Sequence, residues 1–214
     1  EILYDSFLQD MFINYSSVGN LTKIKNVCQE ITVGIVVNPS KYYAESGVPG
    51  IRHSNVMKGE IDISEVVYID PIEHRKLQKT HLNAGDVVLP RVSTVAGKPY
   101  YAAVVPKELD GVNSIGIVIL RPDKSKVLPE FLEACINAPS TVRRLVGVAV
   151  GSIQRQLNVG IIKEEKIPLP SITDQSEIAQ RSLEMKECTY YLRKRVRDSE
   201  KIKQYLYTRV FQEI

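Results

Sequence analysis

The sequence lacks the features that mark disulfide-rich, zinc-binding or membrane proteins. It has three cysteines, Cys28, Cys135 and Cys188, and their wide, irregular spacing fits neither a zinc motif nor a disulfide framework. No apolar run approaches the roughly 20 residues needed to cross a bilayer, and no secretory leader is present. We therefore expect a cytoplasmic protein with free thiols and no membrane partner. The sequence opens with Glu1 rather than Met, which fits a fragment or a processed chain.

Catalytic motifs are also scarce. The sequence has no Gly-rich phosphate loop before a helix, no Gly-x-Ser-x-Gly and no His pair at metal-ligand spacing. His74 and His81 lie in a charged stretch, which favours solvated surface histidines. Asp123, Glu164 and Lys166 loosely imitate a metal-dependent nuclease, and a nuclease therefore stays as one alternative. The composition by itself indicates one domain, or one domain with an appendage, and a net charge of +3 permits nucleic-acid binding without requiring it.

The last segment has neither Gly nor Pro from Asp174 to the end, which indicates a long helix. Thr173 or Asp174 can cap its start, and Glu177 completes a capping box with Asp174. At about 1.5 Å per residue this helix is about 60 Å long, too long to be buried by one small domain. Residues at spacings of three and four form a seam for another helix, and the alternative is a helix lying on its own domain. The seam comprises Met185, Cys188, Leu192, Val196, Ser199, Ile202, Leu206 and Val210.

The middle of the chain reads as short strands separated by turns. Five β-branched, apolar segments are found at residues 31–37, 65–69, 86–92, 100–105 and 114–120. Two short helical signals follow, one beginning at Pro129 and one that Ser140 can cap. The predicted fold class is α+β: a compact, mainly β domain with short helices, followed by a long C-terminal helix that packs antiparallel on another helix.

The two ends of the chain resemble each other. The segment LYDSFLQDM (3–11) aligns with LYTRVFQEI (206–214), with three identical positions at an offset of 203 residues. This match predicts one unit of a tandem arrangement, in which the first residues end the long helix of a preceding unit. Leu3 and Phe7 are then expected to pack against another helix.

Three predicted loops carry side chains suited to DNA contact. One follows the turn at residues 47–50, one follows the strand ending near residue 92, and one follows the second short helix. Arginine, asparagine and glutamine read base edges, while serine, threonine and lysine contact phosphates. The DNA-binding candidates are Arg52, His53, Asn55, Lys58, Arg91, Ser93, Thr94, Lys98, Ser152, Gln154 and Arg155.

Several segments, taken in order, resemble the specificity subunits of type I restriction-modification systems. They include SGVPGIRHSNV (46–56), GEIDIS (59–64), LNAGDVVLPR (82–91), GSIQRQL (151–157) and IPLP (167–170). The resemblance covers nearly the whole chain, with a departure at residues 92–96, where relatives often have a Gly soon after the Arg. It implies three units: the end of a preceding spacer helix (1–14), a target-recognition domain (15–172) and a long spacer or dimerisation helix (173–214).

The resemblance also implies a division of labour. The domain reads one half of a split site in double-stranded DNA, and the helix sets the distance to a second recognition domain, in the same protein or in a self-associated copy. The chain itself is non-catalytic and needs no cofactor, because S-adenosylmethionine is expected on partner methylation subunits, through which a restriction subunit joins. Besides the nuclease, two alternatives remain: a structural adaptor, and the recognition half of a fused restriction-methylation enzyme.

Overall fold

A computed structural model of the chain describes residues 2–19, 21–92, 99–150 and 156–211. Six helices are found there, together with short 3₁₀ turns. They are α1 (Ile2–Val18), α2 (Pro71–Lys76), α3 (Pro129–Asn137), α4 (Pro139–Val150), α5 (Val159–Glu164) and α6 (Ile172–Phe211). No helix among these residues is long and apolar enough to cross a membrane.

Two four-stranded sheets form the body of the domain. The first has the order β2–β11–β8–β9 and is antiparallel throughout, and the second has the order β10–β4–β7–β3, with β10 and β4 parallel. Two short antiparallel pairs, β1–β12 and β5–β6, complete it. The strands are β1 (Leu21–Lys23), β2 (Cys28–Val33), β3 (Tyr43–Ala44), β4 (Val48–Arg52), β5 (Val56–Met57), β6 (Glu60–Ile61), β7 (Val67–Ile69), β8 (Val87–Pro90), β9 (Ala103–Val104), β10 (Asn113–Ile115), β11 (Ile117–Pro122) and β12 (Lys166–Pro168). The predicted α+β class is confirmed.

The chain passes between the two sheets at Gly116. This residue lies between β10 of one sheet and β11 of the other, with φ of +63°, a conformation that a side chain disfavours. The segment 114–120, which the sequence presents as one strand, is therefore divided in two. Four of the six residues of β11, Ile117 to Leu120, are fully buried, so this strand is central to the core.

The N-terminal helix packs on the domain of its own chain. Tyr4, Leu8, Met11 and Phe12 are buried in the same apolar cluster as α3 and the first sheet. Leu3 is 78% exposed in this chain, so its predicted packing against another helix stays a prediction. Phe7 is partly buried against this cluster. The helix also continues to Val18 instead of ending near residue 14.

The long C-terminal helix is one continuous element of 40 residues, as predicted. Its cap differs from the prediction: the amide of Asp174 donates to Oγ of Ser171 (3.2 Å), and Thr173 and Asp174 already lie within the first turn. Of the predicted seam, Met185 is partly buried against the core, whereas Leu192, Val196, Ile202 and Leu206 are exposed. Val210 lies outside the described side chains. The predicted antiparallel partner helix and the three-unit division of the chain stay predictions.

Candidate nucleic-acid interface

One edge of the domain gathers the ends of several strands around Gly116. Ile115, the last residue of β10, lies beside Arg52, the last residue of β4. The amide of Arg91, just beyond β8, donates to the carbonyl of Gly116 (3.1 Å). A Cβ placed on Gly116 would lie 3.7 Å from Nδ1 of His53. Arg52, His53 and Arg91, three of the predicted contacts, are therefore brought together, and we call this region the Gly116 edge.

The described residues that border the other two predicted loops lie together. Val92, which precedes residues 93–98, and Gln156, which follows residues 151–155, form an antiparallel bridge, and the amide of Leu157 donates to the carbonyl of Arg91 (2.7 Å). These bordering residues therefore lie next to the Gly116 edge. Six predicted contacts in the two loops lie outside the described residues: Ser93, Thr94, Lys98, Ser152, Gln154 and Arg155.

The charges at the Gly116 edge are available for an anionic ligand. Both Arg52 and Arg91 are half-buried, and no described carboxylate lies within salt-bridge distance of either guanidinium. Arg52 uses Nη2 to donate to the carbonyl of Glu65 (3.1 Å), which restrains its side chain without neutralising it. Burial and the neighbouring Arg52 lower the pKa of His53, so its imidazole is neutral at pH 7 and offers one donor and one acceptor.

The prediction for Asn55 as a DNA contact is corrected. Its side chain is buried and its amide group is used internally. Oδ1 accepts from the amide of Arg52 (2.8 Å), and Nδ2 donates to the carbonyls of Asp62 (2.8 Å) and Glu65 (3.0 Å). Asn55 therefore shapes the turn that presents Arg52 and His53.

The prediction for Lys58 is also corrected. Its side chain is only 10% exposed, because it forms an ion pair with Asp5 of α1 and lies over the rings of Tyr4 and Tyr101. Lys58 belongs to the junction between the domain and the two long helices. Its ammonium group is therefore already paired within the chain.

The two histidines expected at the surface are half-buried instead. Their rings stack at a centroid distance of 4.1 Å. Nε2 of His81 bonds the carbonyl of His74 (3.0 Å), and Nδ1 of His74 bonds Oδ1 of Asn113 in β10. They support the strand that leads into Gly116, and nothing in their spacing of seven residues indicates this stacking.

The sequence alone does not identify Gly116 as the centre of the site. The available signal was a single Gly within an apolar strand pattern, which favours a bulge or a close backbone approach. The neighbouring segment at Ile35, whose carbonyl accepts from the amide of Gly116 (2.9 Å), was also missed. Two residues later, Val37 is an exposed apolar side chain.

The two carboxylates of the alternative nuclease hypothesis have intrachain partners. Asp123 accepts from Ser125 and pairs with Lys126 (3.2 Å), and these contacts lower its pKa. Glu164 lies 2.6 Å from the ammonium groups of both Lys23 and Lys25. Within the described part of the chain, no group of three or more His, Cys, Asp or Glu side chains could hold a metal ion.

Comparison with known proteins agrees with the family resemblance. No family model matches the sequence. The putative type I restriction enzyme MjaX specificity subunit of Methanocaldococcus jannaschii is 25% identical over 168 residues, which covers 74% of this chain and 37% of that protein. The EcoKI specificity subunit of Escherichia coli K12 is 27% identical over 177 residues, covering 77% and 35%.

Two solved structures share the fold. The HsdS subunit from Thermoanaerobacter tengcongensis superposes with a TM-score of 0.60 at 18% identity, over 87% of this chain and 46% of that one. The S subunit of a type I system from M. genitalium has a TM-score of 0.55 at 10% identity, over 91% and 48%. This chain thus spans about a third of the curated relatives and just under half of the solved chains. The resemblance to type I specificity subunits is confirmed.

Proposed function

From its similarity to type I restriction enzyme specificity subunits, we propose that this chain is a non-catalytic DNA-reading module. It recognises one half of a split target in double-stranded DNA, and α6 connects that half to the next. One observation supports this most directly. Arg52 and Arg91, neither of which has a described carboxylate within salt-bridge distance, lie at the Gly116 edge with the neutral His53 and the residues that border two polar segments.

The chemistry of the Gly116 edge suits duplex DNA. Guanidinium groups bind phosphates and the O6/N7 edge of guanine, and each base-specific bidentate pair is worth about 1–3 kcal/mol of discrimination. His53, being neutral, adds a directional donor and acceptor without long-range charge. The segments 93–98 and 151–155 carry serine, threonine, glutamine, lysine and arginine, so they supply both phosphate and base contacts. In this proposal Arg52 and Arg91 orient the domain on the backbone, and the two loops enter the groove.

The partners follow from the same proposal. Methylation subunits, which bring S-adenosylmethionine, dock on the module and its long helix, and a restriction subunit joins through them. A second recognition domain, in the same protein or in a self-associated copy, reads the other half-site. The chain itself needs no cofactor, and we place it in the cytoplasm with the DNA it reads.

The test compares Arg52→Ala and Arg91→Ala with Lys107→Ala. Lys107 is an exposed control at the other end of β8. The antiparallel partner β9 ends opposite Val87, the first residue of β8, and Lys107 follows three residues later, whereas Arg91 follows the last residue of β8. DNA affinity is measured by fluorescence anisotropy at several salt concentrations, with the cognate methylation subunit present. The target duplex is taken from methylated bases mapped in the source genome. Loss of a phosphate contact is expected to reduce the salt slope by about one unit.

The outcomes distinguish base-specific recognition from general electrostatic attraction to DNA. If either arginine reads a base, its removal costs about 1–3 kcal/mol on the target and less on unrelated duplexes, which relaxes specificity. Lys107→Ala is expected to leave affinity and slope unchanged. Equal behaviour of all three variants would show that the Gly116 edge does not face DNA.

A further inference from the structure

The contact between α6 and the domain is unusually polar. Gln175 and Ser182, both buried, and Lys186 lie with Ile178 on one face of the helix, at spacings of three and four. Oε1 of Gln175 accepts from the amide of Leu128 (2.9 Å), and its Nε2 donates to the carbonyls of Lys126 and Pro170 (both 3.0 Å). All hydrogen-bonding groups of this side chain are therefore directed at fixed backbone atoms.

Two further polar contacts continue the face. The hydroxyl groups of Tyr4 and Ser182 lie 2.9 Å apart and join α6 to α1. One turn later, Nζ of Lys186 donates to Oε2 of Glu133 (2.7 Å), a fully buried side chain of α3. Oε1 of Glu133 accepts from Asn137 (3.0 Å), whose amide group also bonds both backbone groups of Ala102. A continuous series of polar contacts thus connects Ala102, next to β9 of the first sheet, to α6.

The turn of the β5–β6 hairpin closes over this ion pair. Gly59 has φ of +77°, and a Cβ there would lie 2.6 Å from Cδ of Lys186 and 3.2 Å from Oε1 of Glu133. No side chain larger than hydrogen fits without displacing the pair. The same hairpin follows directly after the turn that carries Arg52 and His53. Five residues of backbone, 54–58, therefore connect His53 at the Gly116 edge to Gly59 beside α6.

Polar contacts fix a helix in a way that apolar contacts do not. Apolar surfaces keep most of their contact after a small rotation or shift, whereas hydrogen bonds weaken steeply as their angles change. A buried carboxylate without its partner is strongly unfavourable. Only one rotation and one axial position of α6 satisfies Gln175, Ser182 and Lys186 together.

We propose that Glu133 and Lys186, with Gln175 and Ser182, are positioning residues that set the direction and register of α6 relative to the domain. Lys186 is the last of these anchors, and 25 residues of α6 follow it, up to and including Phe211, about 37 Å of helix. A tilt of about 10° at the anchor would move the far end by about 6 Å, more than the about 3.4 Å between successive base pairs. The consequence for half-site separation rests on the proposed function, but the positioning itself does not.

The experiment measures the distance between the domain and the far part of α6 by pulsed electron spin resonance. Spin labels are attached at Lys107→Cys and Lys201→Cys, both exposed positions, in the Cys188→Ser background. Burial raises the pKa of Cys28 to about 12 and that of Cys135 further, so neither native thiol competes for label near pH 7. Labelled protein is diluted into unlabelled protein so that distances between copies do not contribute. The parent is expected to give one narrow distance distribution.

The decisive variant replaces the ion pair by two methionines, Glu133→Met with Lys186→Met. A buried ion pair exchanged for apolar groups of similar volume often keeps or raises stability. We expect a thermal midpoint close to that of the parent and a distance distribution at least twice as wide. Ile178→Val, on the same face, is the control: it lowers the midpoint by loss of packing but leaves the distribution narrow. Lys186→Arg, which keeps the ion pair, is also expected to keep the distance distribution narrow.

A folded double variant with a narrow distribution overturns the proposal. If the double variant does not fold, Glu133→Gln gives the same decision, because it removes the buried charge, its Oε1 can still accept from Asn137, and the partly exposed Lys186 can reach water. Broadening again supports positioning, and a narrow distribution again overturns it. No DNA is present in this measurement, so its failure is distinguishable from failure of the proposed function.

Discussion

Asn55 offers a direct way to separate a structural role from a DNA-reading role, through the substitution Asn55→Ala. The substitution removes the acceptor for the amide of Arg52 and the donor to the carbonyl of Asp62. The carbonyl of Glu65 keeps Nη2 of Arg52 as a donor and is not orphaned. A buried group left without its partner costs about 1–3 kcal/mol. Because Asp62 is exposed and can bind water, we expect about 2–3 kcal/mol in total.

The free energy of unfolding is measured by urea denaturation monitored by circular dichroism. With a slope of about 1–3 kcal/mol per molar urea, the midpoint is expected to fall by about 1 M while the slope stays constant. Asn83→Ala is the matched control, since Asn83 is exposed and the change is expected to cost less than about 0.5 kcal/mol. Asn55→Ala that is still folded should keep its DNA preference. Unchanged stability together with relaxed preference would refute this reasoning and assign Asn55 to base reading.

Two further predictions concern α1 and the acidic surface. Leu8→Ala is expected to destabilise the chain by about 2–5 kcal/mol because its side chain is fully buried, whereas Leu3→Ala changes the unfolding free energy by less than about 0.5 kcal/mol; similar losses in urea denaturation would contradict the packing of α1. Lys23 and Lys25 lower the pKa of Glu164 from 4.5 to about 2. The carboxylate therefore stabilises the fold above about pH 4.5, and this contribution is lost as the pH falls towards 2. In Glu164→Gln the thermal midpoint should fall less steeply over that range, and salt should reduce the difference because the group is exposed; parallel pH profiles would contradict it.

Five of the twelve strands in the described part of the chain, and the long helix, could be predicted because their signals are local. Apolar, β-branched runs between turn residues gave β2, β7, β8, β9 and β11, although the predicted segments were longer than the strands observed. The absence of Gly and Pro after Asp174 gave α6, and Pro129 marked the start of α3. The order of the strands in each sheet could not be predicted, because β2 pairs with β11 across about 90 residues of chain.

The site was only partly predictable for the same reason. Arg52 ends a strand, and His53 and Arg91 directly follow strands, where side chains are often presented to solvent. Nothing in the local sequence distinguishes Asn55 from His53, two residues earlier. The side chain of Asn55 nevertheless donates to the carbonyls of Asp62 and Glu65, seven and ten residues later. Lys58 is withdrawn from the surface by Asp5, a residue of a helix more than 50 positions away. Whether a polar side chain stays at the surface or is bonded within the fold therefore depends on such distant partners.

The distal half of α6 has a consequence for how this protein persists in a cell. Beyond Lys186 its described apolar side chains, such as Tyr191 and Ile202, are more than half exposed. Because few tertiary contacts stabilise this segment, its last turns are expected to open more often than those of a packed element. If another helix covers this end, as the proposed function expects, an unassembled copy exposes a cleavable, apolar end that an assembled copy conceals. The amount of this protein is then expected to follow the supply of whatever covers that end, because proteases remove the surplus.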